Sequence, residues 1–111
     1  MAFDIISPVK LGQLALTASA QTVYTVPSLA RAIVKTIDIC NTNSSNVTVT
    51  VYLVPSGGSA NNATTLIPGP IVVANGMFQW SGAQVLSEGD TIRAVASTTG
   101  VTINVSGAEC V

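Results

Sequence analysis

A chain of 111 residues and 11.3 kDa is long enough to enclose one core and too short for two. Only 8% of its residues are charged, against about 25% in an ordinary soluble domain, and four basic and five acidic side chains leave a net charge of -1. Lys10, Arg31, Lys35 and Arg93 are scattered, which excludes a phosphate-tracking basic patch, and the absence of histidine excludes Ser-His-Asp and Cys-His nucleophile systems and the commonest metal ligand.

The first sixteen residues contain two extended candidates, 2–6 and 9–16, separated by Ser7 and Pro8. Pro8 has no N–H to give to a ladder, so the opening piece belongs at a sheet edge or forms an arm, residues 1–8, reaching a neighbour. The segment AQTVYTV, 20–26, predicts a strand that stops at Pro27 and carries Tyr24 as a core or rim aromatic. A helical turn competes only in VPSLARAIVK, where Ser28 is a possible cap. The β-branched residues that follow favour a turn and then a strand over 32–41. On that strand Ile33, Ile37 and Ile39 share parity with Lys35, which calls for a bulge or a rim position.

The stretch from Lys35 to Val54 predicts two strands around the polar turn NTNSSN. Val47, Val49, Val51 and Leu53 line one face of the second strand, and Thr48, Thr50 and Tyr52 line the other. Residues 56–62, SGGSANN, predict an exposed, unanchored loop. Pro68-Gly69 predicts a turn between 64–67 and 70–73, and Asn75-Gly76 a hairpin of type I′ between IVVA and MFQW. Trp80 then predicts a core plug, or else an exposed partner anchor. Ile92, Ala94 and Ala96 alternate in one late strand and Val101, Ile103 and Val105 in the next, giving two antiparallel strands in succession. The tail 107–111 is expected at an edge. Eight or nine short strands, with turn signals between them and no helix, predict one all-β domain over 1–111, an antiparallel β-sandwich or jelly roll.

Chemistry is sparse. Cys40 and Cys110 lack metal-site spacing, and with an acidic start at Asp4 where an export signal would be positive they are expected as free thiols in a reducing compartment. The sequons at Asn43, Asn46, Asn62 and Asn104 then carry no meaning. Of the carboxylates Asp4, Asp38, Glu88, Asp90 and Glu109, only Glu88 and Asp90 are close in sequence. An acid/base or calcium pair there competes with a structural role on turn amides, which is favoured. No catalytic, cofactor-binding or metal-ligating residue is assigned, and no enzyme activity, cofactor, nucleic-acid partner or membrane span is expected.

Four pieces in order carry a resemblance: YTVP at 24–27, IVKTIDICNTNSS at 33–45, VTVYLV at 49–54 and WSGAQVLSEGDTIRAVAS at 80–97. The chain resembles a group of small tailed-bacteriophage virion proteins that share a TVP turn, an apolar strand ending in Asn-Thr and a late Leu-x-x-Gly-Asp-x-Ile-x-Ala. The resemblance implies a structural protein of the particle. Its expected role is capsid decoration, or cement: made in the host cytoplasm, bound to the major capsid protein on the outside of the head, and associated with itself as a homotrimer. Sparse charge on a strand-rich surface independently predicts self-association, because such edges are poorly defended. The rival readings are a tail, neck or fibre-associated virion protein on the same fold, and a carbohydrate-binding sandwich.

Overall fold

The computed structural model describes residues 5–111. The two-residue periods become eight strands: β1 (Ile6–Leu16), β2 (Gln21–Thr25), β3 (Arg31–Asn41), β4 (Val47–Val54), β5 (Thr65–Val72), β6 (Met77–Leu86), β7 (Thr91–Ala96) and β8 (Val101–Cys110). The helical content of the described residues is a single 3-10 turn at Asn62–Thr64. Two antiparallel four-stranded sheets result, ordered β1-β8-β3-β6 and β2-β7-β4-β5. This double-sheet order is a jelly roll. Ile37, Ile39, Ile103 and Val105 of the first sheet and Val49, Val51, Ile92 and Ala94 of the second are fully buried. Each such Val or Ile contributes about 1.5–3 kcal/mol relative to exposure.

Only β4 and β5 are both consecutive in the chain and paired, and this corrects several local expectations. The strands around NTNSSN are not one hairpin, since β3 lies in the first sheet and β4 in the second; β7 and β8 are likewise divided. Asn75-Gly76 carries the chain from β5 to β6 across the sandwich. Of the two residues only Asn75 has a positive φ, 54°, so the turn is not type I′. Polar turn residues specify that a chain reverses, and which sheet receives the next strand is left to the packing of the apolar faces.

Pro68-Gly69 forms no turn. It lies inside β5, where Gly69 at φ 79° occupies a break in register between Thr48/Ile71 and Thr50/Pro68. The tail runs on in β8, a central strand between β1 and β3, so it is not at an edge. The expected free loop at 56–62 is anchored at both ends. Ser56 N–H donates to Asp90 Oδ1 at 2.9 Å, and Asn61 caps the 3-10 turn by accepting from Ala63 N–H.

The Lys35 puzzle resolves as a bulge. Val34 and Thr36 pair with consecutive residues of β8, Gly107 and Ser106, which leaves Lys35 unpaired and exposed. Inward residues therefore change parity, from Ala32 and Val34 before the bulge to Ile37, Ile39 and Asn41 after it. Leu11 on β1 and Gly82 with Ala83 on β6 break register at the same level, so the irregularity crosses the whole sheet. Gly107 stands at its centre. A Cβ there would lie 1.9 Å from the Ile33 carbonyl oxygen, an overlap no side chain can accept. β1 is an edge strand, as Pro8 requires, and Ile6–Pro8 pair with β8 within it; residues 1–4 of the expected arm lie outside the described residues.

Candidate interaction surface

The described residues contain no pocket and no group of three or more His, Cys, Asp or Glu placed to hold a metal ion. Two of the carboxylates are occupied in holding loops. Asp90 accepts from the N–H groups of Ser56 and Ser87, both at 2.9 Å, while Glu88 Oε1 accepts from Leu29 N–H at 2.7 Å. Each carboxylate thus serves a different turn. The Leu29 bond secures a residue at φ 61°, a left-handed backbone that leucine rarely adopts.

Two arrangements, one buried and one half-buried, have no single-residue signature in the sequence. Asn41, 1% exposed, uses its whole amide: Nδ2 donates to the carbonyls of Ser45, Val72 and Val73 at 2.9–3.1 Å, and Oδ1 accepts from Asn43 N–H. It clamps the β3–β4 and β5–β6 connections together. Its parity with Ile37 and Ile39 was the available signal. At the other end of the sandwich the Tyr24 hydroxyl donates to Glu109 Oε2 at 2.5 Å, tying β2 to β8 across the two sheets. Burial first, then this hydrogen bond and the charge of the carboxylate, raise the Tyr24 phenol well above the ordinary tyrosine range.

Cys40 and Cys110 are free. Cys110 pairs with Arg31, nine residues along β3 from Cys40, a separation of about 30 Å that no disulfide can span within one chain. Trp80 is neither fully buried nor displayed. It points inward beside Ile37 on an edge strand, half-exposed, packed against the core with its ring over Gly82. Tyr24, Tyr52 and Phe78 are half-buried too, so the described aromatics form no flat exposed platform for a sugar ring.

What remains is surface. The outward residues of the first sheet fall into rows across its strands. Pro8, Ala108, Ile33 and Val85 form an apolar row with Ile6 beside it, and Gln13, Asn104, Asp38 and Gln79 form a polar one. Ile6, Met77 and Val85 are each more than 60% exposed. Large apolar side chains left open in a charge-poor sheet mark a surface suited to association.

The comparisons agree with this architecture. No protein-family model and no curated sequence matches the chain. Among solved structures, the fold is similar to a chain of infectious bursal disease virus, Gx strain, with a TM-score of 0.56 at 12% identity. The match covers 96% of this chain and 32% of the viral one, so the protein spans about a third of that relative's length. It is also similar to a chain in the acid-stable capsid structure of the Helicobacter pylori bacteriophage KHP30, with a TM-score of 0.55 at 10% identity, covering 96% of this chain and 94% of that one. At such identities the likeness is one of fold. No helix among the described residues is long and apolar enough to cross a membrane.

Proposed function

We propose that the protein is a structural component of a bacteriophage particle, a decoration or cement protein that docks on the major capsid protein from outside the head and associates with itself, as a trimer at positions of three-fold symmetry. The observation that carries this reading is a jelly roll with a surface of 5672 Å² in a chain that has only nine Asp, Glu, Lys and Arg residues, while large apolar residues stay exposed on both sheets. A free monomer gains solubility from charge; a lattice protein covers such surface with neighbours. The full-length likeness in fold to a phage-capsid chain supports the same reading.

Quantitative gels of purified particles test it. A decoration protein is present in hundreds of copies per particle, whereas a tail, neck or fibre-associated protein would be present in roughly six to twelve, as the symmetry of those assemblies dictates. A low count moves the protein to the tail, and absence from the particle overturns the proposal.

A further inference from the structure

Of the four sheet edges, three are visibly defended. β1 carries Pro8, Lys10 and the bulge at Leu11; β5 carries Pro68, Pro70 and two breaks in register; β2 is only five residues long and ends before Pro27. Proline, lysine, bulges and shortness are the devices that stop a strand from recruiting another. β6 is different. It runs ten residues, MFQWSGAQVL, without a charge or a proline, and seven of the ten residues are exposed. Its only irregularity, at Gly82–Ala83, leaves Met77–Ser81 in regular pairing with β3.

We infer that β6 is a strand-addition edge whose occupant is the β6 of a second copy, paired antiparallel about a two-fold axis through Gln79. The composition of the strand selects this partner. In a register centred on residue 79, Phe78 of each copy stands opposite Trp80 of the other, and Met77 opposite Ser81. Parity is kept throughout: residues 77, 79 and 81 lie on the outer face and 78 and 80 on the inner one. Phe78 and Trp80 are both half-buried against the core, and the incoming strand covers what each still exposes. Cross-strand aromatic pairs are favourable, and a strand with no charge meets its own copy without repulsion. A register centred on Ser81–Gly82 would instead oppose Gln79, which faces outward, to Gln84, which shares the inward face of Val34. The result is one continuous eight-stranded sheet. Five paired residues make a small interface that is weak in solution and strengthened where a lattice holds the copies together. This inference concerns self-pairing and stands whichever part of a particle the protein occupies.

Cysteine trapping reads the register directly. Residues directly opposite in an antiparallel pair have Cα atoms about 4.5–5.5 Å apart, within the roughly 4.4–6.8 Å that a disulfide spans, whereas the two copies of residue 81 would lie about 13 Å apart. In a Cys40→Ser background under a glutathione redox buffer, Gln79→Cys is expected to form a covalent dimer at least tenfold faster than Ser81→Cys. A mixture of Met77→Cys and Ser81→Cys chains is expected to cross-link with each other. Circular dichroism confirms that each variant is folded. Equal rates for Gln79→Cys and Ser81→Cys, or no dimer from Gln79→Cys and the mixture alike, would overturn the inference. Particle copy number reports separately on the virion role.

Discussion

Asn41→Ala is the most informative single perturbation, because one side chain ties two connections of the sandwich and does so out of contact with water. Truncation strips partners from the carbonyls of Ser45, Val72 and Val73 and from Asn43 N–H. The bond to Val72 O is fully buried and the other three partly so. A buried polar group left without a partner costs about 1–3 kcal/mol, while one that regains water costs little. With the Val72 carbonyl staying dry at about 1–3 kcal/mol and the three partly buried bonds lost at about 0.7 kcal/mol each, destabilisation comes to about 3–5 kcal/mol. That is a large share of the roughly 5–15 kcal/mol that holds a domain together. At about 4 °C per kcal/mol, it lowers the midpoint by about 12–20 °C in a thermal melt followed by circular dichroism. Asn41→Asp keeps an acceptor for Asn43 N–H but aims an oxygen at three carbonyls, so it should lose at least as much at neutral pH. A loss under about 1 kcal/mol for Asn41→Ala would refute the claim that this amide organises the end of the sandwich.

Gly107→Ala places a Cβ 1.9 Å from the Ile33 carbonyl oxygen and must push β3 and β8 apart; a loss of about 3 kcal/mol or more in urea titration is expected. Tyr24→Phe leaves Glu109 without its hydroxyl donor, at a cost of about 1–2 kcal/mol at neutral pH. Because the folded state raises the Tyr24 pKa, its contribution is complete below the unfolded value of about 10 and fades as pH climbs above that. Stability of the wild type should therefore fall above pH ~10 with a component that Tyr24→Phe lacks, measured by urea midpoints across an alkaline series. Lys35→Ala, on the exposed bulge, should change stability by less than about 0.5 kcal/mol, whereas Ile37→Ala two residues later should cost about 2–5 kcal/mol.

Much of the fold was legible before any coordinates. Period-two alternation is a property of neighbouring residues, so the inward valines, isoleucines and alanines of β4, β7 and β8 could be read directly, and the clash of Lys35 with its isoleucine neighbours called for a bulge or a rim position, of which the structure shows the bulge. Reversals at 42–46, 73–76 and 97–100 were placed correctly as turns and wrongly as links within a sheet.

Tertiary structure alone decided which sheet each strand joins, because both sheets offer the same kind of apolar face and the choice is made by closing the whole sandwich at once. It decided that Asn41 and Tyr24 would meet partners 31 and 85 residues away, contacts that no local window contains. It also decided which strands end at the edges. Composition alone marks a charge-poor surface; only the strand order shows that β6 is the edge left without a defence.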